Sequence, residues 1–219
     1  GLGLALDDPA LALFADALAG RMAAFGLPDT QVYLGLLGEA APLQARLNGL
    51  QRDFSGLAEL AAARPADAPP GLEIYLVDDI LDGANRLNGF AGGLPAPVGH
   101  AGRPAAVTAV RAVLLPDFPA AVADFAQHEL GHALGLFHTT EPFGGTHDPL
   151  ADTLECPLAC DADGDGVLFA RECGAQAMGS PPCQGAADNV MFWTLGGQRA
   201  VTAGQRRVAG AHPLTALPP

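Results

Sequence analysis

The stretch from His128 to His138, HELGHALGLFH, constrains the fold of this chain more than any other. His128 and His132 are four residues apart, so in an α-helix both imidazoles project from one face. Gly135 has no Cβ and can take a left-handed conformation, which lets the helix end and turn sharply. That turn can bring His138 round to the first two imidazoles. The stretch therefore predicts a helix, a tight turn and a cluster of three histidines.

Three neutral imidazoles with an open fourth position form the donor set of a catalytic zinc site. Zinc lowers the pKa of a bound water, and Glu129 lies next to the first histidine, where it can take the proton of that water. We therefore expect zinc on His128, His132 and His138, with Glu129 as the general base of a hydrolase. The alternative is a buried helix whose histidines are satisfied by hydrogen bonds within the protein.

The pattern H-E-x-x-H-x-x-G-x-x-H resembles that of the metzincin metallopeptidases, whose second feature is a Met-turn beneath the metal. Met191 in DNVMFW is the matching methionine, and the resemblance implies that it forms an apolar floor and is not a ligand. Within this group the chain most resembles the pappalysin branch, on GLFHTTE, GGTHDPLADTLECP and VTAGQRRVAGAHP. The resemblance implies a zinc endopeptidase that acts on a protein or peptide substrate.

The segment after the methionine departs from the pappalysin pattern. That branch usually has an Asp and then a Tyr after the Met, whereas this chain has Phe192 and Trp193. The only tyrosines, Tyr33 and Tyr75, both fall in segments that we predict to be strands. No tyrosine is therefore evident for stabilising the oxyanion, and we expect a larger, more apolar pocket near Phe192 and Trp193.

A second metal-binding pattern follows the histidines. DADGDGVLFARE, residues 161–172, has a residue for every position of a twelve-residue calcium loop, with Gly166 at the sharp turn. The flanking segments are too short for EF-hand helices, so we expect a lone structural calcium site and not a sensor. An acidic, solvated loop without a metal is the alternative. The expected ligands are Asp161, Asp163, Asp165, the Val167 carbonyl and Glu172.

All four cysteines lie around this loop, and their spacing includes no CxxC pair. Two disulfides are therefore favoured over a four-thiolate zinc site, which implies an oxidising compartment. The pappalysin resemblance implies the interleaved pairs Cys156–Cys173 and Cys160–Cys183. It also implies a second calcium site, around Asp148, Asp152 and Thr153.

Composition excludes several classes of partner. The chain of 219 residues carries a net charge of −13, which argues against nucleic acid and anionic membranes. No apolar run is long enough to span a bilayer. The N-terminus lacks the basic region of a signal peptide, so we interpret the chain as a trimmed form of a secreted protein. We expect it to act as a monomer.

Hydrophobic periodicity predicts an α/β (α+β) fold of metzincin type, with a mixed twisted sheet and an irregular C-terminal part. We expect one catalytic domain, residues 1–219, with an N-terminal subdomain (1–138) and a C-terminal subdomain (139–219). Helices are predicted at 8–26, 41–65, 118–134 (capped by Asp117) and 202–212 (capped by Thr202). Strands are predicted at 30–38, 71–80 and 105–115, with a short edge strand within 82–104.

Three other readings of the function stay open. The chain could be an inactive binding module stabilised by zinc and calcium, a calcium-dependent adhesion domain, or an amidase on a non-peptide amide. Retention of Glu129 favours an enzyme. The remaining histidines, His100, His147 and His212, are expected at the surface or in loops, and His100 is a weak candidate for substrate contact.

Overall fold

The computed structural model describes residues 6–35, 55–62, 69–82, 85–98, 105–111, 117–175, 183–195 and 199–216. Among the described residues, two helices precede five short strands, a third helix ends at Ala133, and largely irregular structure with two disulfides follows. The fold is therefore mixed α/β with a small mixed sheet. None of the helices in the described part of the chain combines the length and the apolar character that a membrane-spanning segment needs.

Helix α1 (Pro9–Ala24) forms as its sequence predicts. The Asp8 side chain accepts a hydrogen bond from the Ala10 amide at 2.9 Å, Pro9 occupies the first turn, and Gly26 has a φ of +84° just beyond the end. Its apolar face is buried in the main core against the helix that carries His128 and His132. That face comprises Ala10, Leu11, Phe14, Leu18 and Met22.

Three strands form the main sheet of the described residues, in the order β1 (Gly71–Val77), β5 (Ala105–Arg111), β4 (Gly89–Ala91). β1 pairs parallel with β5, and β4 pairs antiparallel with β5, so the predicted mixed sheet is confirmed. The small hairpin of β2 (Ile80–Asp82) and β3 (Asn85–Leu87) precedes β4. Among the described residues, no strand pairs with the outer side of β4, so β4 is the predicted edge strand.

Helix α3 (Pro119–Ala133) carries the first two histidines and packs on α1, β4 and β5. Asp124, buried on this helix at 2% exposure, ties distant segments together. One of its carboxylate oxygens accepts from Arg21 Nε at 2.7 Å, and the other pairs with Arg199. Gln127 Nε2 donates to the Arg21 carbonyl at 2.9 Å. These contacts hold α3 between α1 and the segment that follows Met191.

The C-terminal part is held by disulfides and caps more than by regular structure. Cys156 is bonded to Cys173 and Cys160 to Cys183, which are the two pairs that the resemblance implied. The cysteines form a small core of their own with Leu168. After helix α4 (Ala170–Cys173), α5 (Ala203–Gly210) begins at a capping box of Thr202 and Gln205, as the sequence indicates.

Several predicted elements need correction. Residues 30–35 form no strand, and Tyr33 and Leu34 are exposed; residues 36–38 lie outside the described ones. A short apolar run becomes a strand only if a neighbouring strand pairs with it. Helix α2 (Ser55–Ala62) is the described part of the predicted helix 41–65. The other apolar positions of that prediction lie outside the described residues: Leu43, Leu47, Leu50 and Phe54. Asp117 does not cap α3, which begins after Phe118 without a side-chain cap.

Candidate metal centre

The three predicted histidines come together at the end of α3. His138 Nε2 lies 3.2 Å from His128 Nε2 and 3.0 Å from His132 Nε2. Three nitrogen ligands at zinc's usual distance of about 2.0–2.1 Å in tetrahedral geometry lie about 3.3 Å from one another. The donor atoms and their spacing therefore fit a divalent metal ion such as zinc.

Hydrogen bonds at the opposite ring nitrogens determine which nitrogen of each imidazole carries its proton. His128 Nδ1 lies 2.8 Å from the Val190 carbonyl, and His132 Nδ1 lies 2.7 Å from the Leu136 carbonyl. A carbonyl oxygen can only accept, so each Nδ1 is protonated and each Nε2 keeps its lone pair. His138 Nδ1 lies 3.1 Å from Glu141 Oε1, which accepts in the same way. Three lone pairs therefore converge on one point, an arrangement that favours a bound cation.

Burial keeps the imidazoles of His128 and His132 neutral. It lowers the pKa of His128 to about 3, and the neighbouring His132 and His138 lower it further. Burial, followed by the charge of His138, lowers the pKa of His132 to about 4. Only a neutral imidazole can donate a lone pair to a metal, so both side chains are in the binding form at neutral pH.

The turn after α3 depends on Gly135, whose φ is +101°. The Gly135 amide donates to the His132 carbonyl and the Leu136 amide to the Gly131 carbonyl, both at 2.9 Å, which closes the helix. The reversal places the Leu136 carbonyl against His132 Nδ1 and carries the chain on to His138. A residue with a Cβ would be strained at this φ. The glycine therefore positions two ligands at once.

Glu129 projects toward the outer edge of strand β4. A Cβ built on Gly89 would lie 2.3 Å from Glu129 Cγ and 2.4 Å from its Oε1, so the bare glycine makes room for this side chain. Burial raises the pKa of Glu129 to about 8, partly offset by a hydrogen bond from the Ala91 backbone amide. A carboxyl group with a pKa in this range can both accept and return a proton near neutral pH.

Met191 lies beneath the histidine helix and is fully buried. A Cβ on Gly131 would lie only 2.4 Å from Met191 Sδ, so helix and methionine are in close contact. The Met191 carbonyl accepts from the Thr139 amide at 2.9 Å, next to His138. The methionine thus contacts the elements that carry all three histidines without offering its sulfur as a donor to them.

Two amide side chains hold the Met191 turn on α5. Asn189 Nδ2 donates to Gln205 Oε1 at 3.0 Å, and Gln205 Nε2 donates to Asn189 Oδ1 at 2.8 Å. The same Asn189 oxygen accepts from the Met191 amide at 2.9 Å. Because Val190 lies inside this turn, the amide pair also positions the carbonyl that orients His128.

Phe192 and Trp193 pack on the disulfide core. Phe192 is fully buried there. Trp193 is half-buried, packs on Phe169 with tilted rings and 5.3 Å between ring centroids, and donates to the Leu168 carbonyl. Tyr75 donates to Glu73 within the sheet. Tyr33, 68% exposed, is not in a strand.

The acidic loop brings Asp161, Asp163 and Asp165 together, with one carboxylate oxygen of each within 4.8 Å of the others. The Gly166 amide donates to Asp161 and the Val167 amide to Asp165, both at 2.8 Å. Glu172 is not in this group. Its two carboxylate oxygens accept from the amides of Ala162 and Phe169, so it closes the loop and caps helix α4. Arg171 pairs with Asp163 and Asp165.

The second calcium candidate forms a hydrogen-bonded turn in this structure. Asp148 Oδ1 accepts from the Thr153 hydroxyl at 2.5 Å and from the Leu150 amide at 3.1 Å. Asp152 instead accepts from the Thr202 hydroxyl and, at 2.7 Å, from the Gly204 amide at the start of α5. Asp148 and Asp152 therefore have different hydrogen-bond partners, although the charge of Asp152 is among the causes that raise the pKa of Asp148, after burial.

The other histidines have different surroundings. His212 lies in a bend after α5, in agreement with its prediction as a surface or loop residue, but it is only 5% exposed and is hydrogen-bonded to Ala96 and Leu214. His147 is half-buried, with Nδ1 near Thr140 and the Thr139 carbonyl. His100 lies outside the described residues.

Sequence reasoning did not identify several residues that shape the centre. Gly89 and the Asn189–Gln205 pair lie outside the pattern H-E-x-x-H-x-x-G-x-x-H, and their roles depend on contacts between distant segments. Glu141 and Gln205 left local signals. Glu141 ends the stretch GLFHTTE, three residues after His138, and Gln205 lies three residues after Thr202 in a capping box. Comparison of the chain with models of protein families, with curated proteins and with solved structures found no match.

Proposed function

We propose that this chain is a secreted, zinc-dependent endopeptidase with a metzincin-type catalytic domain. The observation that carries the proposal is the convergence of three imidazole lone pairs at distances of 3.0 and 3.2 Å beside a buried glutamate. When bound there by His128, His132 and His138, zinc would activate a water and polarise a carbonyl group. The two disulfides and the absence of free cysteines in the described residues support an extracellular location.

Glu129 would supply the proton transfer. Its carboxyl group is buried on the same helix as two of the ligands, and burial raises its pKa to about 8. It is therefore suited to remove a proton from an attacking water and to pass it to the departing amine. Met191 would hold the histidine helix from below by packing on Gly131.

The substrate would lie along strand β4. The register with β5 directs the Asn88 carbonyl inward to Arg111, and adjacent residues of a strand point their backbone groups to opposite sides. The amide of Ala91 therefore faces outward, where it donates to Glu129. An extended peptide could pair with this outer edge and bring its carbonyl groups to the metal centre.

Calcium would stabilise the wall of the same cleft. Asp161, Asp163 and Asp165 bring three carboxylates together, and Arg171 offsets part of their charge. A calcium ion would neutralise the remaining repulsion. The end of this loop is attached to the segment after His138, because the Leu168 amide donates to the Pro142 carbonyl at 2.8 Å. A calcium ion there would be structural and would steady that segment.

The test is cleavage of a mixed peptide library by the wild-type protein and by the Glu129→Ala variant, with zinc content measured for both. We expect cleavage that a zinc chelator stops, and a variant that binds zinc but does not cleave. Zinc binding without cleavage in the wild type would contradict the peptidase and favour a binding module. Cleavage of small non-peptide amides alone would favour the amidase.

A further inference from the structure

We propose that Glu141 is a positioning residue for the metal centre: its carboxylate holds His138 in the ring orientation and tautomer that bind zinc. This inference rests on the proposed zinc site. His138 Nδ1 lies 3.1 Å from Glu141 Oε1, three residues further along the chain. This glutamate lies outside the pattern H-E-x-x-H-x-x-G-x-x-H, although it ends the stretch GLFHTTE.

The three histidines are oriented by two kinds of acceptor. His128 and His132 donate to backbone carbonyls, those of Val190 and Leu136, which are held by the Met191 turn and the helix end. Both of these imidazoles precede the Gly135 turn and belong to α3. His138 lies beyond that turn, and its Nδ1 bonds to a side chain. The orientation of the third ligand therefore depends on a side chain, which a mutation can remove, whereas a backbone carbonyl cannot be removed in this way.

Glu141 is itself held in place by its backbone. Its amide donates to the Thr146 carbonyl, and its carbonyl accepts from the Gly144 amide, both at 2.9 Å. A bridge between Thr140 and His147 closes the same turn. The side chain is 42% exposed, so it contributes little to the hydrophobic core. Because the backbone of Glu141 is fixed and its carboxylate is exposed, this side chain can orient His138 but adds little to the stability of the fold.

The hydrogen bond fixes the ring orientation and the tautomer of His138. An imidazole in water exchanges its proton between the two nitrogens, and only the form protonated at Nδ1 presents an Nε2 lone pair to the metal. Acceptance by Glu141 selects that form. Loss of such a partner typically weakens metal binding about 10–100-fold.

The experiment compares zinc affinity in the full chain, by competition with a chromophoric chelator, for wild type, Glu141→Ala, Glu141→Gln and Glu155→Ala. Glu155 is the matched control, because its carboxylate is 63% exposed and its ion-pair partner is His147, with 3.9 Å between His147 Nε2 and Glu155 Oε2. Removing it takes away the same charge but leaves His138 unchanged.

We expect about 10–100-fold weaker zinc binding for Glu141→Ala and a smaller loss for Glu141→Gln, whose amide oxygen can still accept. We expect no change for Glu155→Ala. The cobalt-substituted proteins should show an altered visible spectrum for Glu141→Ala alone, and melting of the zinc-free proteins should be unchanged.

Equal zinc affinity of Glu141→Ala and wild type would overturn the inference. It would also be overturned if Glu155→Ala lost as much zinc affinity as Glu141→Ala, because the loss of one negative charge would then explain both results. A wild-type chain that fails to bind zinc would refute the proposed function, and this inference with it. A wild type that binds zinc tightly with an unaffected Glu141→Ala refutes the role of Glu141 alone.

Discussion

Replacement of Gly89 by alanine should impair catalysis while sparing the metal. Gly89 lies in the edge strand β4, where the three atoms nearest to a built Cβ all belong to Glu129, at 2.3, 2.4 and 2.6 Å. Ordinary contacts of a Cβ begin at about 3.4 Å, so the Glu129 side chain must retreat by about 1 Å or change rotamer. The alanine therefore displaces the proposed base and leaves the histidines without a new neighbour.

The expected decrease in kcat/KM follows from this displacement of Glu129. Misplacement of a reacting group by about 1 Å typically lowers the rate about 100-fold, which corresponds to about 2.7 kcal/mol. Complete loss of a general base costs about 10²–10⁴-fold. We therefore expect Gly89→Ala to lower kcat/KM about 100-fold and Glu129→Ala to lower it at least as much.

The assay measures kcat/KM on a peptide selected from the library, together with the zinc content of each protein. Gly145→Ala is the matched control, since nothing lies within 4 Å of the Cβ that it would add. We expect Gly145→Ala to match the wild type, and Gly89→Ala to retain zinc. Full activity in Gly89→Ala, alongside an inactive Glu129→Ala, would refute the contact between Gly89 and Glu129. Loss of zinc from Gly89→Ala would show that strand β4 supports the histidine ligands directly.

Two further results are expected. Gly131→Ala would place a Cβ 2.4 Å from Met191 Sδ and 3.2 Å from Phe25 Cζ, and such overpacking should lower the free energy of unfolding by about 1–3 kcal/mol in urea titrations. An unchanged midpoint would contradict the close contact of helix and methionine. Removal of calcium at fixed zinc should lower the melting temperature by several degrees and expose residues 161–172 to proteolytic nicking, whereas unchanged melting would show that the acidic loop holds no structural ion.

Local patterns predicted those elements whose signals lie within a few residues. Helix α1 follows from Asp8, Pro9 and an apolar stripe, and α5 from its capping box. The predicted strand at 30–38 was wrong over residues 30–35, because an apolar run does not reveal whether another strand will pair with it.

Contacts between distant segments could not be predicted in the same way. Phe192 is fully buried because it packs into the small core that the two disulfides form. Asp152 accepts from the amide of Gly204, 52 residues away. Both outcomes depend on which surfaces meet after folding, and neither residue's neighbours in sequence indicate this.

The sequence by itself determined the helix with two histidines on one face, the glycine turn and the third histidine, because those depend on helical spacing and on the conformational freedom of glycine. Only the tertiary structure decided how that cluster is oriented. The Val190 carbonyl comes from the Met191 turn, and the cradle for Glu129 comes from Gly89. Hydrogen bonds and steric contacts act over a few ångströms in space whatever the separation along the chain. Residue spacing within the motif therefore predicts the three histidines, and tertiary packing determines the groups that orient them.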